Sequence, residues 1–185
     1  PTFCGNPLVD DIAARRATFC TREEFIRRNN LDERPIIALL AGSRKQEIKD
    51  NLPLMLEAAK DFVGDYQLVL AGAPSMDITS YQPFMREDVP VKVVFGQTYQ
   101  LLAHAKAALV TSGTATLETS LFKVPQVVCY YVAMGKLVSW LRSKLLKVKY
   151  ISLVNLVADK EVVRELVADT MTVQNVRAEL NALLN

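Results

Sequence analysis

Short apolar runs alternate with stretches of helical spacing along most of this chain. "PIIALLAG" (35–42), "YQLVLAG" (66–72), "VKVVFG" (91–96), "AALVTS" (107–112) and "PQVVCYYV" (125–132) are nearly continuous apolar runs of strand length. Such runs mark strands covered on both faces, as in parallel sheets. Between them, "SRKQEIKDNLPLMLEAAKDFV" (43–63), "TYQLLAHAKA" (98–107) and "GTATLETSLF" (113–122) predict helices, while "SMDITSYQPFM" (75–85) predicts a short helix or loop. Two short helices precede the first strand. "NPLVDDIAARRA" has Pro7 near its start with acids following, and "TREEFIRRNN" opens on Thr21 with Glu24 three residues on, as in a capping box. "TVQNVRAELNALL" (172–184) reads as a terminal amphipathic helix. Strand alternating with helix five times predicts an α/β fold, a Rossmann-like parallel sheet with helices on both faces, in one domain spanning 1–185.

Composition narrows the picture only a little. Half of the 185 residues are hydrophobic and the formal net charge is +2, which does not announce a nucleic-acid partner. Cys4, Cys20 and Cys129 are odd in number and far apart, so neither a disulfide framework nor a zinc cluster is predicted, and a reducing cytoplasmic setting is the default. No run reaches the roughly 20 apolar residues of a membrane span. The opening "PTFCGNPLVDD" reads as a piece of a longer protein.

Candidate chemistry lies in two strand-to-helix turns, "AGSRKQE" and "TSGTATLE". In doubly wound sheets ligands bind at the carboxyl ends of the strands, where both turns fall. In the first, Gly42 allows a tight exit, and Ser43 with Gln46 three residues on makes a capping box that needs no ligand. Arg44 is not explained that way, because a cation in a first turn opposes the helix dipole; a bound anion would remove the conflict. In the second, Ser112, Gly113 and Thr114 offer small side chains and open amides, and Glu118 lies one turn further along the Thr114 face, where it could accept from sugar hydroxyls. Taken alone, this turn reads more readily as a capped helix with a solvated acid; two such turns at one sheet edge shift the balance toward a nucleotide diphosphate. Neither GxGxxG nor GxxxxGK[ST] occurs, which disfavours a redox NAD domain and excludes a P-loop NTPase.

In this order, "GNPLVDD", "LLAGSRKQEIKDNLPLMLEAA", "SGTATLETSLFKVPQVVCYYV" and "YISLVNLVADKEVVREL" resemble the second half of the lipid-A-disaccharide synthase family. The resemblance implies one half of a GT-B architecture, in which two Rossmann-like domains face a cleft. It implies an inverting transfer from UDP-2,3-diacylglucosamine to 2,3-diacylglucosamine 1-phosphate, releasing UDP, with no metal or other cofactor. On that basis Gly42, Ser43 and Arg44 match the diphosphate-side turn, Ser112, Gly113 and Thr114 the second turn, and Glu118 the ribose carboxylate. Phe95, Gly96 and Gln97 fall where related enzymes hold uracil through the backbone, and Asn155 is a candidate cleft residue. Ala41 and Asn6 depart from the proline and histidine that many members carry there. The general base is expected from the chain's own N-terminal domain, since His104 reads as helix packing or surface; the fragment should bind nucleotide without turning over.

"GKLVSWLRSKLLKVKY" (135–150) lies in an acid-free stretch, with Lys136, Arg142, Lys144 and Lys147 beside Trp140. It reads as a packed helix with a solvated basic face, or as a surface for anionic lipid or the acceptor phosphate. The implied lipid substrates place the protein on the inner face of the cytoplasmic membrane as a peripheral protein. The 172–184 helix is a candidate to cross to the missing domain and, cut off from it, to expose its apolar face and form a homodimer. A UDP-sugar 2-epimerase half-domain and a non-catalytic UDP-binding module are the alternative readings.

Overall fold

The computed structural model describes residues 7–131 and 150–185. The six strands are β1 (Ile36–Leu40), β2 (Gln67–Gly72), β3 (Val91–Phe95), β4 (Ala105–Thr111), β5 (Gln126–Tyr130) and β6 (Arg164–Val167). They form one sheet in the order β3-β2-β1-β4-β5-β6, with every neighbouring pair parallel. Every residue of β1 and β2 is buried, as expected of strands covered on both sides. All five predicted strands are present. The sixth, β6, carries only four residues in the mixed sequence Arg-Glu-Leu-Val and is half exposed, so it lacked the apolar run that marks the others.

The described helices are α1 (Pro7–Arg15), α2 (Arg22–Asn29), α3 (Lys45–Ala59), α4 (Thr98–His104), α5 (Thr114–Leu121), α6 (Leu153–Ala158) and α7 (Val173–Leu184). They divide between the two faces. Ile48, Leu52, Met55 and Leu56 of α3 share one core with Val176 and Leu180 of α7 and with Ile37, Leu39, Leu68, Leu109 and Val127 of the sheet. Phe25 of α2 and Leu101 and Leu102 of α4 share the other with Ile36, Ala38, Val69, Ala108 and Val110. Alternate residues of each strand thus feed opposite cores. The expected cap of α2 is present, with Thr21 Oγ1 accepting from the Glu24 amide at 3.3 Å.

The terminal helix corrects an expectation. It does not leave the domain: α7 lies against α3 and β4–β6, with Val176 and Leu180 fully buried and Arg177 donating to the Glu57 carbonyl at 3.0 Å. Val173, Leu183 and Leu184 of the same helix are partly buried against this core.

Candidate nucleotide-binding site

The strand order places the site. β1 is followed by β2 on one side and β4 lies on the other, so the chain reverses its direction of winding between β1 and β4. In doubly wound sheets the crevice at the carboxyl ends of these two strands is the ligand position. Leu40 pairs with Val110, so Gly42–Arg44 and Ser112–Thr114 leave the sheet side by side at that point. Here the structure brings together the two turns that the sequence singled out.

The two turns are built differently. Gly113 adopts φ 146° and ψ −162°, and no side chain caps α5 behind it. The first N–H groups of an α-helix lack intrahelical acceptors, so this turn presents donors to an incoming anion. The first turn is already closed. Glu47 folds back so that Oε2 accepts from the amides of Ser43, at 2.8 Å, and Arg44, at 3.3 Å. Gly42 at φ 110° makes room for it, since a Cβ there would lie 2.6 Å from Glu47 Oε2. Arg44, not Ser43, is the N-cap residue, and Gln46 donates to Asp50 instead of completing a cap. The expected Ser43–Gln46 box is therefore shifted by one residue. The dipole conflict posed by Arg44 is relieved by an internal carboxylate. The Arg44 side chain is 82% exposed and lies 3.5 Å from Glu47 Oε1.

Phe95, Gly96 and Gln97 leave the outer strand β3 at the same edge, three strands from β4 and hence roughly 14 Å away. Gly72 allows the Phe95 ring to fold over the end of β2, where any Cβ would come within 2.4 Å of it. Gly96 takes φ 67°, and the Gln97 side chain is turned down to a reciprocal pair with Asn29, at 3.0 and 3.2 Å. What this segment offers a ligand is its backbone and the face of Phe95.

Glu118 lies in the second turn of α5, where the Tyr99 hydroxyl of α4 donates to its Oε1 at 3.0 Å. Nothing local marks this partner; the two residues meet only because α4 and α5 are neighbours on one sheet face. Asn155 is not a cleft residue. It is fully buried, donates to Val163 O and Glu165 Oε1 at 2.8 Å each, and accepts from the amides of Val162 and Val163. Its hydrogen-bonding capacity is spent on joining α6 to β6. Glu165, which sequence reasoning did not single out, accepts from Ile151 N, Ser152 N, Ser152 Oγ and Asn155. Burial acts to raise its carboxyl, but these donors outweigh burial and hold it below the ordinary carboxylate range. This network holds Ile151 and Ser152, and Ser112 Oγ in turn donates to the Ile151 carbonyl at 3.4 Å beside the open turn.

His104 packs on Phe25 and its Nε2 meets the Cys20 carbonyl at 3.1 Å, in keeping with a packing role. A cavity of about 560 Å³ opens at the opposite, amino edge of the sheet, but the arginines lining it are committed, Arg34 to Asp32 and Arg86 to Asp88 and Glu57. Lys136, Trp140, Arg142, Lys144 and Lys147 lie outside the described residues.

The whole chain, residues 1–185, matches the family model described as lipid-A-disaccharide synthetase. Lipid-A-disaccharide synthases from Coxiella burnetii (strain Dugway 5J108-111) and Syntrophus aciditrophicus are 37% and 38% identical to it over 188 and 190 residues. These alignments cover 100% and 99% of this chain and 48% of each relative. The chain belongs to the lipid-A-disaccharide synthase family. It spans about half the length of the curated relatives it matches. Among solved structures, Escherichia coli ADP-heptose lps heptosyltransferase II superposes with a TM-score of 0.60 at 18% identity, covering 88% of this chain and 50% of that one. Methanocaldococcus jannaschii UDP-GlcNAc 2-epimerase, solved in complex with UDP-GlcNAc and UDP, gives 0.62 at 13% identity, covering 100% and 48%. At such identities these likenesses speak for the fold alone. That fold is the Rossmann-like half found in GT-B glycosyltransferases.

Proposed function

We propose that this chain is the donor-binding half of a lipid-A-disaccharide synthase, holding the UDP of UDP-2,3-diacylglucosamine while the sugar is transferred, with inversion, to 2,3-diacylglucosamine 1-phosphate. The observation that carries the reading is the pairing, at the switch point of the sheet, of an uncapped α5 turn with an exposed cation, Arg44, on the adjacent turn. Cleavage of the sugar–diphosphate bond builds negative charge on the leaving UDP. Amides at Ser112–Thr114 and the Arg44 guanidinium are the groups assigned to receive it. The diphosphate is assigned to α5 and not to α3, because Glu47 already occupies the α3 amides. Glu118 is assigned to the ribose, and the exposed Phe95 with the Gly96–Gln97 backbone to the uracil. The base that takes the acceptor's proton is assigned to the other half of the protein, so this chain binds without turning over. The lipid substrates place the complete enzyme at the inner membrane surface; among the described residues no helix is long and apolar enough to cross a membrane.

Calorimetric titration of this chain with UDP, with NAD(H) as control, tests the reading. Saturable UDP binding is expected, weakened about tenfold by Arg44→Ala, in line with loss of one charged hydrogen-bonding partner. Because Arg44 is exposed, the melting temperature of that variant should not move. UDP and NAD(H) binding alike, or UDP binding indifferent to Arg44→Ala and Glu118→Ala, would sink it.

A further inference from the structure

Among the described residues the Glu118 carboxylate pairs with no cation, and its one polar partner there is the Tyr99 hydroxyl, on Oε1. The phenol is held from several sides. Its ring packs on Phe122 with centroids 5.5 Å apart, Phe122 packs on Phe19 at 5.7 Å, and the Arg15 guanidinium sits 5.8 Å above the Tyr99 ring. Burial, and then the charge of Glu118, push the phenol up to about 12, so it remains a donor at any physiological pH. A donor that keeps its proton and is held by ring packing, bonded to one carboxylate oxygen, orients that carboxylate and leaves Oε2 to a second partner. Tyr99 also stands two residues beyond Gln97, so it ties the exit of β3 to α5 across the face of the sheet.

We propose that Tyr99 is a positioning residue for the nucleotide: its hydroxyl pins Glu118 Oε1 so that Oε2 is presented to the ribose hydroxyls. This rests on the reading that the crevice takes a uridine diphosphate. A merely structural Tyr99–Glu118 bond would dock α4 on α5 and affect all ligands alike. A positioning bond acts only on ligands that carry the hydroxyls. The pair therefore sets a preference for ribose over deoxyribose, which is a property of specificity and not of folding.

The test is calorimetric titration of this chain and of Tyr99→Phe with UDP, 2′-deoxy-UDP and 3′-deoxy-UDP. Phenylalanine keeps the ring on Phe122 and removes only the hydroxyl. The unsubstituted chain should prefer UDP to at least one deoxy analogue by roughly tenfold, the scale of one charge-assisted hydrogen bond. Tyr99→Phe should weaken UDP by a similar factor, leave the deoxy analogue unchanged, and so collapse the preference. Glu118→Gln should produce the same collapse, and the double variant no further loss, because the two residues act as one unit. A Tyr99→Phe chain that keeps the ribose preference overturns the proposal while leaving the nucleotide site intact. A uniform loss against all three ligands also overturns it, in favour of a structural bond. Failure of the unsubstituted chain to bind UDP removes the nucleotide reading itself, and this proposal with it.

Discussion

Gly113 occupies φ 146° and ψ −162°, a region that essentially glycine alone adopts, yet a Cβ there would meet nothing within 4 Å. The cost of Gly113→Ala is therefore conformational, about 1–3 kcal/mol, and urea denaturation should read it directly. Gly42→Ala adds a collision with Glu47 to its own positive φ, so it should open the closed turn as well as destabilise the chain. His104 supplies a pH dependence. Burial is the main cause holding its imidazole below its ordinary value of 6.5, against the opposing pull of the Cys20 carbonyl. Over the interval below 6.5 the unfolded chain then binds more protons than the folded one, so stability is complete above that pH and falls as acid is added. The melting temperature should drop between pH 7.5 and pH 5, and His104→Gln should flatten that part of the profile; an unchanged slope would refute the assignment. Arg44 and Glu118 could be picked out from the sequence because a residue type stood at odds with, or beyond the needs of, its local turn. Tyr99 and Glu165 could not, because their significance lies in partners 19 and 13 residues away along the chain.

Among the elements, α6 owes its placement to Glu165. Four donors converge on this one carboxylate at the start of a helix too short to hold itself. Glu165→Ala leaves those donors facing an empty acceptor site and should cost about 1–3 kcal/mol, measured by denaturation. It should also raise hydrogen exchange in residues 150–158 before the sheet exchanges. Since the folded carboxyl is held below the ordinary range, this contribution is present above the unfolded value near 4.5 and is lost as pH falls through the folded one. The terminal helix makes a different kind of contribution. Leu180 is fully buried against α3 and the sheet, so Leu180→Ala should cost roughly 2–5 kcal/mol. Helix α7 itself was legible from its spacing; the surface it covers was not, because an apolar stripe declares that it will be buried without declaring by what.

At the scale of the molecule, the closure of α7 onto its own sheet predicts a monomer in sedimentation velocity at micromolar concentration; a concentration-dependent dimer that Val176→Asp abolishes would show the helix serving another surface. The sheet order has the larger consequence. The five apolar strand runs, the helices between them and the two polar turns at their ends could all be read from the sequence, because they depend on periodicity and on turn chemistry acting within about four residues. The motifs in series were enough to point to the family. Only the tertiary structure decided that β1 and β4 are neighbours and so that the two turns share one crevice. It also decided that Glu47 closes the first turn while the second stays open, that Asn155 is spent inside the fold, that a sixth strand completes the edge, and that Tyr99 reaches Glu118. The reason is common to all of these. A polar group's best partner is whichever group packing brings within about 3 Å of it, and packing is settled by how separate elements bury their apolar faces together, not by the order of residues within any one of them.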